Sequence, residues 1–107
     1  MASASPTSRS LAAIRERGYM PWVVEYYNFF SKKRVDLFGC WDILAVGNGE
    51  TLAVQTTSYS GVSARVKKIT DNAFLADCRK AGWRMEVHGW RKHPTTKKWV
   101  CRVVDVS

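Results

Sequence analysis

The tetrapeptide Gly47-Asn48-Gly49-Glu50 constrains this chain more than any other stretch. Asn-Gly is favoured at the centre of a type I′ turn, where both residues need positive φ. It separates two strand-like runs, Trp41 to Val46 and Thr51 to Thr57, within Arg34 to Thr57. A two-residue loop pairs Gly47 with Glu50, so paired residue numbers sum to 97 and Asp42 faces Gln55. Directly opposed residues share one face of a sheet, with Cβ atoms roughly 5 Å apart. A slip of one residue would put the two on opposite faces. An acid and an amide facing each other inside apolar strands need a physical reason.

The remaining elements follow in chain order. Met1 to Ser8 is small and polar and reads as a loose tail, the domain proper running from residue 9 to residue 107. A short helix starts at Ser8 or Ser10 and ends at Arg17, with Gly18 as its left-handed stop. Its arginines (Arg9, Arg15, Arg17) are either solvated or phosphate contacts. Trp22 to Asn28 alternates with period two and reads as the first strand, with Pro21 suiting an edge or a strand start. Its one charge, Glu25, either points to solvent or joins a site. Lys32-Lys33-Arg34 reads as a basic loop, and Gly39 as a bulge or bend. Asp36 either joins the same site as Asp42, caps the turn, or pairs with Arg34.

Gly61 to Ala81 reads as the principal helix, stopped by Gly82, with Val62, Val66, Ile69, Ala73 and Ala76 on its apolar stripe. Arg65 lies roughly 60° from the centre of that stripe, with Lys68 one step further on the same flank. These two cations either border the helix in solvent or reach toward the end of the hairpin. Arg84 to Arg91 and Lys98 to Val104 read as the last strands, and His88 as an ordinary strand-face residue. The turn between them carries Arg91, Lys92, Lys97 and Lys98. Flanked by Trp90 and Trp99, it either clamps a nucleic-acid backbone or is a soluble tip.

Composition narrows the function classes. With 107 residues the chain suits one small domain, and 46% hydrophobic residues are too many for a disordered one. Lys plus Arg outnumber Asp plus Glu by 17 to 9, so the net charge is +8. That balance favours a polyanionic partner, nucleic acid before anionic membrane. The three cysteines, Cys40, Cys78 and Cys101, form no zinc-type cluster and are expected to be buried, inert thiols. No run approaches the roughly 18 apolar residues of a membrane span, and MASASPTSRS lacks a signal-peptide core. The expectation is a soluble cytoplasmic protein.

A long helix crossing after the hairpin lets the next strand join in parallel, giving an α/β domain with a mixed sheet. On that sheet Asp42 supplies a carboxylate, Gln55 an amide oxygen, Glu25 a second acid and Thr56 a backbone carbonyl. Hard oxygen donors of this kind suit Mg²⁺ or Mn²⁺.

The runs WDILAV and LAVQTT around a tight turn, followed by a helix, resemble the PD-(D/E)XK nuclease superfamily. VDLFGCWDILAV with VQTTS and the later GWRK is similar, more narrowly, to small phage-type Holliday-junction-resolvase-like proteins. The resemblance covers about Ser8 to Trp90. It implies a restriction-endonuclease-like αβββαβ core, here with an extra C-terminal strand. It also implies a Mg²⁺- or Mn²⁺-dependent endonuclease for branched DNA, a homodimer, and the cytoplasm of a bacterial or phage-infected cell.

This chain departs from the superfamily pattern at Trp41 (usually proline), Gln55 (an acid) and Thr57 (a lysine). The expected catalytic set is therefore Asp42, Gln55 and Glu25, with Lys68 or Arg65 replacing the lysine. Thr7 to Ser10 carry no match for the first-helix acid of some relatives. Lys32, Lys33, Arg34, Arg91, Lys92, Lys97 and Lys98 are the expected DNA contacts. A non-catalytic nucleic-acid binder and a protein-interaction module are the alternative readings.

Overall fold

A computed structural model describes residues 5–107. The first helix, α1 (Pro6–Glu16), begins earlier than the sequence reading placed it. Ser5 caps it, its side chain accepting the Ser8 N–H at 3.1 Å, and Pro6 supplies a preset φ in the first turn. The expected tail is therefore cap and helix from Ser5 onward, and its first four residues lie outside the described ones. Gly18 closes the helix at φ +90°. The Tyr19 N–H bonds the Ile14 carbonyl at 3.3 Å and the Gly18 N–H bonds that of Arg15 at 3.0 Å, a Schellman stop. Tyr19 packs with Ile14 in one cluster, the apolar contact that usually accompanies this stop.

Five strands form a mixed sheet in the order β1 (Met20–Val23), β4 (Ile43–Gly47), β5 (Glu50–Ser58), β6 (Arg84–Lys92), β7 (Trp99–Asp105). Among the described strands only β5 and β6 pair in parallel. The hairpin has the expected register, Gly47↔Glu50 through Ile43↔Val54, with φ +54° at Asn48 and +75° at Gly49. Regular pairing of β4 starts at Ile43, two residues after the expected Trp41.

Leu52 to Thr57 are all buried, because both faces of β5 are covered. On one face α1 packs through Ile14 against Ile43, Ala45, Leu52 and Val54. On the other, Val62 and Ile69 of α2 (Val62–Thr70) and Leu75 and Cys78 of α3 (Leu75–Lys80) pack with Ala53, Met85 and Val87. The molecule is thus an α/β domain of three layers.

Three expected elements differ. The single strand Trp22 to Asn28 is two strands in two sheets, since the chain leaves β1 at Val23 and resumes as β2 (Tyr26–Asn28). β2 pairs with β3 (Lys33–Val35), so two of the three residues of the expected basic loop are strand. The long helix is broken after Thr70, behind a 3₁₀ turn at Tyr59–Gly61. The Asn72 side chain accepts the Phe74 N–H at 2.7 Å and donates to the Phe38 carbonyl at 3.1 Å. That local bonding competes with helix continuation. Ala73 and Ala76 are consequently exposed, while Val62, Val66 and Ile69 keep the stripe.

Cys40 and Cys78 are buried free thiols as expected, but Cys101 is only half-buried. Partial burial still pushes its thiol up to about 11. Among the described residues no helix is long and apolar enough to cross a membrane.

Candidate functional site

An open cleft of about 510 Å³ lies where the β4–β5 hairpin meets the β1–β2 junction and α2. Its lining includes Glu25, Asp36, Asp42, Gln55, Thr56, Arg34, Arg65 and Lys68. Regular pairing ends at Ile43↔Val54, and the Asp42 N–H bonds the Val54 carbonyl at 3.0 Å, yet the Asp42 and Gln55 side chains meet as the turn register leads one to expect. The Gln55 Nε2 donates to Asp42 Oδ2 at 2.6 Å, and both residues are buried. The same Oδ2 accepts the Thr56 N–H at 2.8 Å and the Thr56 hydroxyl at 3.1 Å. Thr56 therefore meets Asp42 through its N–H and hydroxyl rather than through the carbonyl expected as a ligand. That carbonyl lies 3.5 Å from Gln55 Nε2. With Nε2 turned to the carboxylate, Gln55 Oε1 is buried with no hydrogen-bond partner.

One carboxylate oxygen each from Glu25, Asp36 and Asp42 lies within 4.8 Å of the others. Glu25 arrives through the break between β1 and β2, where the Val24 N–H bonds the Asp42 carbonyl at 2.9 Å. Asp36 arrives at the end of β3. It thus joins the acids, the option that the sequence had left open. Two of the three acids also hold cations: Arg34 reaches Glu25 at 3.6 Å, and Lys68 donates to Asp36 at 3.3 Å. Arg65 lines the cleft outside both pairs. Beside Asp42 the Thr7 and Thr56 hydroxyls bond at 2.8 Å, so α1 contributes a hydroxyl where an acid was sought.

Burial raises the Asp42 carboxyl to about 7, opposed by the Thr56 N–H and reinforced by the charges of Asp36 and Glu25. An unfolded aspartate titrates near 3.8, so between pH 3.8 and 7 the folded chain holds a proton that the unfolded chain has lost. Stability from this group therefore falls as pH rises through that window. Asp42→Asn removes the charge, and in chelator it should stabilise the protein by about 2 kcal/mol at pH 8. The gain should vanish near pH 4, as measured by urea unfolding. Equal gains at both pH values would contradict it.

Several expected contacts have other roles. Trp90 donates its indole N–H to Ser10 Oγ at 2.8 Å, and so belongs under α1 rather than to a clamp. The Arg9 guanidinium lies 3.7 Å from the Trp99 ring centroid, and Arg91 lies 4.5 Å from that of Tyr59. Thr57, where the resemblance leads one to expect a lysine, is buried. The Ser58↔Trp90 pair sets the start of the basic β6–β7 turn at the same sheet end as the cleft. Lys92, Lys97 and Lys98 are exposed there.

The sequence reading missed a second polar centre beneath α1. Arg17 grips Glu86 with two bonds, at 2.6 and 2.9 Å. Glu86 Oε1 lies 2.9 Å from His88 Nε2, and His88 Nδ1 lies 2.9 Å from Ser10 Oγ. With the imidazole proton on Nε2, every donor from Trp90 through Ser10 and His88 to Glu86 has an acceptor. Burial works to raise Glu86, but Arg17 and His88 outweigh it and hold the carboxyl at about 2. The signal was the alternation Glu86, His88, Trp90, which shares one strand face with α1. No protein-family model, curated protein or solved structure matches the chain.

Proposed function

We propose that this protein is a divalent-metal-dependent DNA endonuclease of the PD-(D/E)XK type, acting on branched DNA such as Holliday junctions. The observation that carries the reading is the convergence of Glu25, Asp36 and Asp42 in a cleft that also holds Arg34, Arg65 and Lys68. The three carboxylates are hard oxygen donors of the kind Mg²⁺ and Mn²⁺ take, and the amide oxygen of Gln55, whose Nε2 bonds Asp42, is left without a partner. When bound, such an ion supplies a hydroxide nucleophile and stabilises charge on the phosphodiester.

The chain's own groups do the rest. Asp42, fixed by Gln55 and Thr56, anchors the acid set without conformational search. Arg65, outside the ion pairs, is the cation best placed to hold a phosphate, and Lys68 adds charge from one turn further along α2. Lys32 and Lys33 of the β2–β3 hairpin, and Arg91, Lys92, Lys97 and Lys98 around the β6–β7 turn, extend the basic surface on which a backbone would lie. A homodimer would present two such clefts to the two strands of a junction.

The ion pairs of Glu25 and Asp36 favour a second reading, since they leave the acids partly neutralised without a metal. In that case the protein binds nucleic acid and does not cut. The test is cleavage of a four-way junction, a flap and plain duplex, each with Mn²⁺ and with chelator. Metal-dependent cutting of the branched substrates is the expected result. Binding that is salt-sensitive but productless under every condition would select the non-catalytic reading.

A further inference from the structure

Between Glu25 and Asp36 the chain leaves the main sheet as an arm. β2 and β3 pair through Tyr26↔Val35, Tyr27↔Arg34 and Asn28↔Lys33, so Phe29-Phe30-Ser31-Lys32 forms the loop. The loop is a built turn. Asn28 Oδ1 accepts the Phe30 N–H at 2.9 Å and the Ser31 N–H at 3.2 Å, and Lys32 takes φ +55°. Turn tips ordinarily carry small polar residues. Here Phe29 is 82% exposed and Phe30 fully so, while the Tyr27 and Phe29 rings meet edge to face at 5.1 Å.

The charges of the arm narrow the choice of partner. Residues 26 to 35 carry Lys32, Lys33 and Arg34 and no acid. Aromatic faces beside cations match nucleotides, whose bases stack and whose phosphates are anionic. Duplex DNA hides its base faces and gives the rings nothing to stack on; a branch or a single strand exposes them. A second copy of this chain fits less well, because two basic arms repel. The arm is also continuous with the cleft: Arg34 lines it and pairs with Glu25 at the arm's base.

We infer that the arm reads unstacked bases in DNA, Phe29 and Phe30 stacking on their faces while Lys32 and Lys33 hold the adjoining phosphates. This rests on the nucleic-acid reading above and names the feature of the substrate that the cleft is brought to. The test is binding in chelator by the full chain to a four-way junction carrying 2-aminopurine at the branch, to a single strand and to duplex. Phe29→Ala with Phe30→Ala should weaken junction and single-strand binding about ten- to hundredfold and abolish the 2-aminopurine response. Duplex binding should change less than about twofold, since phosphate contacts alone serve it. Both rings are exposed, so an unchanged circular dichroism spectrum is expected.

Unchanged junction affinity in the double variant, with wild-type protein binding DNA, overturns the arm alone. So does a fall in oligomeric mass with unaltered DNA preference, which would make the arm a subunit contact. Stacking without Mn²⁺-dependent cleavage supports the arm and overturns only the catalytic reading. Wild-type protein that binds no DNA overturns both.

Discussion

Asp42→Ala is expected to lower metal-dependent cleavage by at least about 10²–10³-fold while DNA binding stays within about twofold. Asp42 is the most buried of the three acids in the cleft and the only one without a cation partner among the described residues. Its carboxylate is tied instead to Gln55 and Thr56, so its position is set by β5 rather than by solvent. Removing it leaves Glu25 and Asp36 to the opposing cations Arg34 and Lys68, a set with little remaining affinity for a divalent ion. Asp42→Asn separates charge from packing: it retains an acceptor for the Thr56 N–H, should fold at least as stably above pH 7, and should cut no better than the alanine variant. Gel-based cleavage rates set against binding isotherms provide the check. Cutting that survives in Asp42→Ala would remove the metal centre from this cleft.

Arg17→Met is expected to cost about 2–3 kcal/mol at pH 7, roughly a 10–20 °C fall in Tm for a domain of this size. The loss comes through Glu86, which is 3% exposed and would keep His88 as its one remaining side-chain hydrogen-bond partner among the described residues. Breaking one side of a buried pair is costly because the other charge stays buried. Arg17 itself is partly exposed, and solvent screening holds the figure to the lower part of the usual range. The sign with pH follows from Glu86, whose folded carboxyl sits near 2 against 4.5 when unfolded. Its stabilisation is complete above about pH 4.5 and disappears as pH falls toward 2. The gap between wild type and variant should therefore narrow between pH 5 and pH 3 in urea titrations. A gap that stays constant would assign the effect to lost packing by the arginine stem.

Both predictions concern residues whose partners lie far along the chain, and they differ in how legible those partners were. Asp42 and Gln55 are thirteen residues apart, joined by one tight turn, and positive φ at Asn48 and Gly49 sets their register. Arg17 and Glu86 are 69 residues apart, and their contact depends on α1 lying across β6. His88 reads from the sequence as an ordinary strand-face residue, because alternation reports two faces without saying whether both are covered. The helix break after Thr70 has a local cause. Asp71-Asn72 is turn chemistry, and the apolar spacing masked it.

The sequence by itself determined the hairpin, its register and the shared face of Asp42 and Gln55, since turn chemistry and period two act over a few residues. It determined the basic charge and the α/β class as well. Only the tertiary structure decided that the chain breaks at Val24, that residues 26 to 35 form an arm, and that Glu25 and Asp36 return to Asp42. Those placements depend on which surfaces pack together, and packing joins residues that no local periodicity connects.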